Sequence, residues 1–581
     1  MAMYWDVVEK IVSRRGKQVR KYAFFEEVWK VLEESGQLVI VRAPTGCGKT
    51  EAVTAPFFHE VLSNSRDWFS LVYSLPSRAL VTTMRQRLAK SLASLGVAYA
   101  TVTSNYGEPL TVSPFLEGDV AVGTYDMLIY TFYGVRRPSY HVLLPLSKIV
   151  SSLVVLDEVQ LVQDTFWYSL SLLPAHLANL VDFGAHVVLM SATMPSVLVG
   201  DIEREVRGIV RPVEVVSKDK PSRGRLEVEV REGFLPSDEG LDRLVMEDIV
   251  RRERLPALIV VNTVEKAVNI YKRLLALKRN GKIDKVEPFL LHSRLSLGER
   301  SRVEKLFEEE KAVDLLDKAI VVATQVIEAG LDADVRCLLT ELSPIDSLIQ
   351  RLGRAARRSD GEAVVYLNPD GGRNVYPATL LERSLQVVKG SGADLSEAVS
   401  NVAVSQDLVD SVYTPDVVEK LSEPVKRLVT EVKNYIHRFP YELYSADVRK
   451  KLGEPPLLRL GYELLCLYLP GASHEQFLER RFLVMEADKV RRSIVRISCK
   501  ELQPPPQCIV HEGGKLIIVK VDLKGEGEGA KTVRLIASDV GQGEDLSELV
   551  ERKDTLFLLN PEFYEVYENR DLGVVRPWVR A

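Results

Sequence analysis

Ten short, continuous apolar runs constrain the fold of this chain more than any other feature. Each run is rich in Val, Leu or Ile and is followed by a polar or Gly-containing turn, and longer helical patterns separate the runs. Such runs are typical of strands buried on both faces of a parallel sheet that helices cover. They form two series of five: Leu38–Arg42, Leu71–Ser74, Val120–Gly123, Leu153–Leu156 and Val187–Met190, then Leu258–Val261, Phe289–Leu291, Ile320–Ala323, Val335–Thr340 and Ala363–Leu367. We therefore predict an α/β fold with two parallel-sheet domains in tandem.

Changes in composition mark the domain boundaries. The polar, basic stretch Ser217–Arg225 separates the two series, and its Gly and Pro are typical of a linker. After Asn368–Gly372 the pattern becomes mostly helical. Three consecutive prolines within Glu501–Pro506 block both a helix and a central strand, and short alternating runs that indicate strands follow. We predict a first domain over 1–216, a second over 217–372, a mostly helical region over 373–500 and a smaller β-containing domain over 501–581.

Composition excludes several classes of protein. With 46% hydrophobic and 27% charged residues, the 581-residue chain is not disordered as a whole. A net charge of −5 excludes a strongly basic nucleic-acid coat but not a narrow phosphate-binding groove. The five cysteines form no C-x-x-C pair, which argues against a cysteine zinc site and favours a reducing, cytoplasmic compartment. Without a secretion signal or a long apolar run, we expect no contact with a membrane.

A phosphate-binding loop follows the first apolar run. Leu38–Arg42 leads directly into Ala43-Pro44-Thr45-Gly46-Cys47-Gly48-Lys49-Thr50, and a helical pattern comes next. Glycines let such a loop wrap phosphates with backbone N–H groups, and the helix N-terminus adds the positive end of its dipole. A chance Gly-rich turn is the alternative. The strand, loop and helix context favours an ATP site, in which Lys49 reaches the β- and γ-phosphates and Thr50 ligates Mg²⁺.

Two carboxylates end the fourth apolar run. Asp157 and Glu158 follow Leu153–Leu156 directly. Alone, two acidic residues after a strand would indicate little, because acidic residues often just cap strand ends. Together with the phosphate loop, they supply what hydrolysis needs. Asp157 can hold Mg²⁺, and Glu158 can orient and deprotonate the attacking water.

The second series ends in a basic segment, Gln350-Arg351-Leu352-Gly353-Arg354-Ala355-Ala356-Arg357. If this segment is helical, Arg354 and Arg357 lie one turn apart on one face. They could then act as arginine fingers that the second domain supplies to the γ-phosphate. A solvated basic helix is the alternative for an isolated pair of arginines. The preceding Gln350 and the other motifs favour the catalytic interpretation.

The order of these motifs resembles superfamily 2 helicases over about residues 20–370. The further matching segments are Leu75–Leu80, Gly123–Asp126, Asp157–Gln160, Ser191–Thr193, Val261–Thr263, Leu291–Arg294 and Ala323–Asp332. The block T-Q-V-I-E-A-G-L-D-A-D, the block S-P-I-D-S-L-I-Q-R-L-G-R and the tail Leu559–Val574 are similar to the CRISPR-associated helicase of type I interference. The resemblance implies two RecA-like domains that bind ATP and Mg²⁺ in the cleft between them.

The resemblance also assigns roles that pattern alone leaves open. It implies that Gly330 and Asp332 bind ATP, with Asp332 at the ribose, and that Ser191 and Thr193 couple hydrolysis to strand movement. It further implies 3′-to-5′ movement along single-stranded DNA, gripped by six residues: Pro76, Arg78, Thr124, Asn262, Ser293 and Thr324. Hydroxyls, amides and backbone N–H groups suit a grip that does not depend on base sequence. For Thr124 and Thr324, a loop or helix-cap role is the alternative.

The sequence departs from that family in three respects. Many members carry a histidine–aspartate nuclease domain on the same chain, whereas none of the eight histidines here is followed by Asp. We therefore expect two partners, a separate nuclease polypeptide and a guide-RNA surveillance complex of the Cascade type. Gln160 stands where the family usually has His. No adenine-reading glutamine is evident before the phosphate loop, since Gln18 lies further upstream.

Two other functions remain open at this point. The chain could be a general DExH helicase for RNA or DNA outside CRISPR interference. It could also be a subunit whose ATP site gates its assembly with a partner complex. The full set of catalytic motifs argues against a scaffold without activity.

Overall fold

A computed structural model of the protein describes residues 2–13, 20–34, 37–65, 67–97, 100–105, 116, 118–135, 143–162, 166–307, 313–328, 333–373, 375–442, 445, 448, 451–452, 457–458, 462–499, 507–512, 515–523, 532–540, 555–568 and 570–575.

A parallel sheet forms the centre of the first domain. Its described strands are β1 Leu38–Arg42, β2 Ser70–Leu75, β3 Val102–Asn105, β4 Val120–Thr124, β5 Ser152–Asp157, β6 His186–Ser191 and β7 Val213–Val216. Their order is β3-β4-β2-β5-β6-β1-β7, with every neighbouring pair parallel. The accompanying helices are α1 Ala2–Ser13, α2 Ala23–Glu33, α3 Lys49–Ser63, α4 Arg78–Ser94, α5 Tyr125–Phe132, α6 Leu143–Val150, α7 Tyr168–Asp182 and α8 Ser196–Glu205.

A second parallel sheet follows the linker 217–225. Its described strands are β8 Leu226–Glu232, β9 Ala257–Val260, β10 Glu287–Leu291, β11 Ala319–Ala323, β12 Cys337–Glu341 and β13 Gly361–Leu367. Their order is β10-β11-β9-β12-β13-β8, again parallel throughout. The helices are α9 Glu239–Arg243, α10 Val264–Arg279, α11 Leu297–Glu304, α12 Val313–Leu316 and α13 Ile345–Leu352, and a π-helix, Leu244–Val250, extends α9. The predicted tandem α/β fold is confirmed.

The central strand β1 shows why continuous apolar runs give this architecture. All five of its residues are buried, and successive side chains of a strand point to opposite faces of the sheet. Leu38 and Ile40 accordingly belong to one hydrophobic cluster, and Val39 and Val41 belong to another. Helices therefore cover both faces of the sheet.

The helical region packs back onto both α/β domains. Its helices are α14 Ala378–Val388, α15 Gly392–Ala398, α16 Val402–Val412, α17 Pro415–Ser422 and α18 Lys426–Arg438. Just after α18, the Phe439 ring packs edge-on against Tyr133 of the first domain. Just after α16, the Tyr413 hydroxyl donates to Asp346 Oδ1 of the second domain at 2.7 Å. The region is thus a bridge between the two domains.

A third sheet begins earlier than the predicted boundary at 501. Its described elements are β14 Tyr462–Leu467, α19 Ala472–Arg480, β15 Phe482–Glu486, α20 Ala487–Arg492, β16 Ile494–Cys499, β17 His511–Glu512, β18 Lys515–Leu523, β19 Thr532–Val540 and β20 Thr555–Leu558. The order is β15-β19-β18-β20-β14-β16, with β17 beside β18. The prediction of a mostly helical region up to residue 500 is therefore wrong from Tyr462 onward. A short apolar run such as Tyr462–Leu467 fits a buried helix or a strand equally well.

A C-terminal hairpin attaches this sheet to the second domain. It consists of β21 Tyr564–Tyr567 and β22 Arg570–Val574. His292 Nε2 donates to the Leu572 carbonyl at 2.9 Å, and His292 Nδ1 accepts from the Arg294 amide at 3.1 Å. Burial lowers the pKa of His292 to about 3. His292 is therefore a neutral, structural residue.

Among the described residues, no helix combines the length and the apolar character that crossing a bilayer requires.

Candidate active site

Two glycines in the left-handed region shape the phosphate loop between β1 and α3. Gly46 has φ +92° and Gly48 has φ +80°, a conformation that side chains disfavour. A Cβ at Gly48 would also lie 3.0 Å from the Phe25 ring. Helix α3 begins at Lys49, so the amides of its first turn face the loop. Lys49 Nζ donates to the Ala43 carbonyl at 2.8 Å.

Pro44, Thr45 and Cys47 complete the loop. Cys47 is buried, and its burial raises the pKa of the thiol to about 12. A thiol with such a pKa is a poor nucleophile at neutral pH. Cys47 therefore serves as a small packing residue of the loop.

The two predicted catalytic carboxylates lie at the carboxyl end of β5. Burial, with Glu158 beside it, raises the pKa of Asp157 to about 6. The Tyr73 hydroxyl donates to Asp157 Oδ2 at 2.6 Å and opposes that rise. Glu158 has a left-handed backbone with φ +55°. Such strain in a residue other than glycine is often found at functional sites.

Hydrogen bonds join Glu158 to the residues expected to couple hydrolysis with movement. Gln160 Nε2 donates to Glu158 Oε2 at 2.7 Å, and Ser191 Oγ donates to Gln160 Oε1 at 2.5 Å. The Thr193 amide then donates to Ser191 Oγ at 3.0 Å. The amide of Gln160 both donates and accepts, as a neutral imidazole would. Glutamine can thus replace the usual histidine without breaking the connection.

The second wall of the cleft meets the phosphate loop at the end of α13. A Cβ at Gly353 would lie 3.0 Å from Thr45 Oγ1, so a larger residue here would press against the phosphate loop. Helix α13 ends at Leu352. The expectation that Arg354 and Arg357 lie one turn apart on a helix is therefore wrong, because both lie in the turns that follow it. The Arg354 guanidinium donates to the Glu328 carbonyl, and Arg357 Nε donates to the Gly353 carbonyl at 2.9 Å.

Gln350 supplies a polar group to the same wall. It is 2% exposed, and its amide nitrogen and oxygen find no hydrogen-bond partner among the described residues. A buried, unsatisfied amide costs free energy unless a ligand or water satisfies it. Gly330 and Asp332 lie outside the described residues, as does Gln18.

Arg351 is a buried hub that sequence reasoning missed. It is fully buried, and its guanidinium donates to Glu328 Oε1 (2.8 Å), Thr340 Oγ1 (3.2 Å), the Glu341 carbonyl (3.2 Å), Asn262 Oδ1 (3.0 Å) and the Tyr376 hydroxyl (2.9 Å). These partners lie far apart in the sequence, so no local pattern indicates them. The only feature of the sequence that pointed to Arg351 was its position between Gln350 and Leu352 in the basic segment.

We expect Arg351→Met to lower the free energy of unfolding by about 3–5 kcal/mol, because it leaves the buried Glu328 carboxylate without its partner. Thermal and urea unfolding of the full chain would measure the loss. Arg373→Met is the matched control, since the exposed Arg373–Asp370 pair is worth about 0–1 kcal/mol. Equal melting curves for the two variants would contradict the hub role of Arg351.

The residues expected to contact the DNA strand lie at the carboxyl ends of neighbouring β-strands, at the same edge of each sheet. Pro76 follows β2 and Thr124 ends β4, while Asn262, Ser293 and Thr324 follow β9, β10 and β11. Nothing is described of the Arg78 side chain. Ser293 is exposed, but Pro76, Thr124, Asn262 and Thr324 are buried.

Two of these buried side chains already have structural partners. Thr124 Oγ1 caps α5 by accepting from the Met127 amide at 3.4 Å. Asn262 Nδ2 donates to the Leu342 carbonyl at 2.8 Å, and its Oδ1 accepts from Arg351. The Asn262 side chain thus belongs to the hydrogen-bond network of Arg351, and its contact with nucleic acid stays a prediction.

The residues of the cleft fit ATP with Mg²⁺. Among the described residues, Asp157 Oδ1 accepts no hydrogen bond, and a Cβ at Gly46 would meet open space. No cluster of three or more His, Cys, Asp or Glu side chains that could hold a metal occurs in the described part of the chain. Mg²⁺ needs no such cage, because one or two protein oxygens suffice when phosphates and water complete its octahedron. Thr50 and Asp157 are the residues that would hold it.

Two family models match the chain at this site. The DEAD/DEAH box helicase model matches residues 24–199, and the model of the CRISPR-associated nuclease/helicase Cas3, C-terminal, matches residues 254–360. These segments contain the phosphate loop and the basic segment, respectively. The fold and the site together define an ATP-dependent helicase of superfamily 2.

Among helicases, the chain is similar to CRISPR-associated relatives and solved structures. CRISPR-associated helicase Cas3 of Thermoproteus tenax is 29% identical over 412 residues, which cover 68% of this chain and 66% of that protein. CRISPR-associated nuclease/helicase Cas3 of Methanothermobacter thermautotrophicus is 24% identical over 80% of this chain and 57% of its own length. The crystal structure of T. fusca Cas3 shares the fold, with a TM-score of 0.58 at 18% identity over 85% of this chain and 66% of that one. The helicase core described here is thus similar to the helicase cores of Cas3 proteins, and the chain spans about two thirds or less of the length of these relatives.

Proposed function

We propose that this chain is an ATP-driven translocase that moves 3′ to 5′ along single-stranded DNA and unwinds target DNA in type I CRISPR interference. One observation carries the proposal: two sets of residues share one edge of each parallel sheet. In the first sheet, the residues expected to act on ATP lie at the ends of β1, β5 and β6. The residues expected to contact DNA lie at the ends of β2 and β4, and β2 is the neighbour of β5. With this arrangement, ATP binding and hydrolysis can change how the neighbouring residues contact a DNA strand.

Hydrolysis in the cleft uses residues of both walls. Lys49 and the first-turn amides of α3 hold the phosphates, while Gly330 and Asp332 position the nucleoside. Mg²⁺ on Thr50 and Asp157 would neutralise charge on the β- and γ-phosphates. Glu158 orients the attacking water and accepts its proton.

From the second wall, Arg354 and Arg357 stabilise the charge that develops on the transferred phosphoryl group, and Gln350 offers its buried amide. Gly353 lies against Thr45, so this wall is already close to the phosphate loop. ATP favours the closed cleft because it bridges both walls, and hydrolysis weakens that bridge.

The hydrogen bonds from Glu158 through Gln160 to Ser191 and Thr193 couple ATP hydrolysis to movement along the DNA strand. A change at the γ-phosphate alters the bonds of Glu158 and so the loop that begins at Ser191. The strand would be held through exposed groups such as Ser293 and through the backbone amides that follow Pro76 and Thr324, since these side chains are buried. Arg78, the first residue of α4, adds a cation.

We further propose two partners, a separate histidine–aspartate nuclease and a guide-RNA surveillance complex of the Cascade type. The first rests on the histidines of this sequence, none of which precedes an aspartate. The second is supported by a structural neighbour described as a CRISPR RNA-guided surveillance complex, pre-nicking, with a TM-score of 0.56 at 19% identity over 95% of this chain and 69% of that one. Metal-dependent cleavage of DNA by this chain alone, abolished by mutating its own residues, would contradict the separate nuclease.

The test is the ATPase rate of the full chain as a function of nucleic-acid concentration. We expect single-stranded DNA to raise the rate above its basal value, because a strand that bridges both domains favours closure. Ser293→Ala should lower that stimulation and spare the basal rate. Ser63→Ala is the matched control, since Ser63 is exposed at the far end of α3 from the phosphate loop.

Other outcomes favour other functions. Stronger stimulation by RNA than by DNA would favour a general RNA helicase. Basal hydrolysis without stimulation by either would favour a subunit in which ATP gates assembly.

A further inference from the structure

A buried tyrosine lies beside the two residues expected to bind Mg²⁺. Tyr73 belongs to β2, between β4 and β5, and none of its surface is exposed. Its hydroxyl donates to Asp157 Oδ2 at 2.6 Å, a short distance typical of a strong bond to a carboxylate. No function assigned above to the phosphate loop or the carboxylates uses this hydroxyl.

The same hydroxyl is near the second expected magnesium ligand. The nearby Thr50 side chain acts against the rise in the Tyr73 pKa that burial and Asp157 cause. Tyr73 therefore lies close to Thr50, on the first turn of α3, and bonds Asp157, at the end of β5. The ring cannot move away without opening a cavity in the core.

A cation also stabilises this corner of the site. Arg87 of α4 pairs with the buried Glu51 of α3 at 2.6 Å, and its charge lowers the pKa of both Tyr73 and Asp157. Strand β2 and helix α4 thus act together on residues that belong to α3 and β5. The orientation of the Asp157 carboxylate depends on elements outside the phosphate loop.

We propose that Tyr73 is a positioning residue that holds the Asp157 carboxylate ready to receive Mg²⁺. This inference rests on the proposed ATP site. The Tyr73 hydroxyl occupies Oδ2, whereas Oδ1 accepts no hydrogen bond among the described residues and would be available to the ion. Mg²⁺ demands near-ideal octahedral geometry, so a carboxylate that is free to rotate binds it less well.

The variant Tyr73→Phe removes the hydroxyl and keeps the ring. We expect the Mg²⁺ concentration for half-maximal binding of a fluorescent ADP analogue to rise about 10–100-fold, the usual effect of losing a group that orients a metal ligand. Affinity for the same nucleotide in EDTA should equal that of the wild type, which also shows that the variant is folded. Fluorescence anisotropy of the full chain, without nucleic acid, measures both quantities.

Two further variants complete the experiment. Tyr133→Phe removes a hydroxyl that is equally buried but bonds His176 and Asn179, and it should keep the wild-type dependence on Mg²⁺. Asp157→Asn should lose that dependence. If Tyr73→Phe keeps the wild-type Mg²⁺ dependence, or loses affinity equally in EDTA, the positioning role is wrong while the ATP site stands. If the wild type binds nucleotide without any response to Mg²⁺, the proposed site fails as well.

Discussion

Replacing Arg354 by alanine should lower the turnover of ATP by about 10³–10⁵-fold, the usual contribution of an arginine finger to phosphoryl transfer. The reason is geometric. Gly353 brings the end of α13 within contact of Thr45 in the phosphate loop, and Arg354 is the next residue. Because the residue is 4% exposed, little water is available to screen its charge at the transition state. Steady-state ATPase measurements with and without single-stranded DNA would show the loss.

Two companion variants separate the charge of Arg354 from its packing. Arg354→Lys keeps a cation but loses the planar guanidinium, so it should remain strongly impaired. Arg358→Ala removes an exposed arginine directly after the basic segment and should leave turnover near the wild-type value. Near-normal hydrolysis by Arg354→Ala would contradict the finger assignment.

Replacing Glu158 by glutamine should abolish most turnover while nucleotide binding persists. A general base contributes about 10²–10⁴-fold, and glutamine cannot accept the proton of the attacking water. The change is nearly isosteric, and the new side-chain carbonyl can still accept from Gln160 Nε2. A fluorescent nucleotide titration beside the ATPase assay separates binding from chemistry.

The control for Glu158→Gln is Glu60→Gln. Glu60 lies on α3, and its pKa is raised by burial to about 7, but its carboxylate bonds the Asp67 and Trp68 amides at the far end of that helix from the phosphate loop. Loss of this carboxylate should leave turnover unchanged. Brisk hydrolysis by Glu158→Gln would show that another group is the base.

The parallel sheets could be predicted because their central strands are continuous apolar runs. The strand predicted at Leu38–Arg42 has the same bounds in the structure. Of the four edge strands described in the two parallel sheets, β3, β7 and β8 gave no such signal. Leu226–Glu232 alternates apolar and charged residues and is only partly buried, so it lacks the continuous apolar character of a strand that is covered on both faces. The run Tyr462–Leu467 was ambiguous for another reason, because a short apolar run fits a buried helix as well as a strand.

The active site was predictable where its residues are neighbours in sequence. The phosphate loop and the Asp157–Glu158 pair each lie on one short segment, so their chemistry can be recognised locally. The bonds of Arg351 join residues from four separate segments, and Tyr73 reaches Asp157 from another strand. Only the packed sheets bring such partners together. The turn that contains Arg354 departs from a helix because Val335 pairs with Ala355, a contact that local pattern cannot indicate.

Release of streptavidin from biotinylated single-stranded DNA tests the central claim most directly. A motor that moves 3′ to 5′ pushes against a block at the 5′ end. We therefore predict that ATP accelerates release from a 5′ biotin, that release from a 3′ biotin stays at its spontaneous rate, and that Lys49→Ala abolishes the acceleration. Equal release with and without ATP at both ends would contradict an ATP-driven translocase, and faster release from the 3′ biotin would contradict its direction.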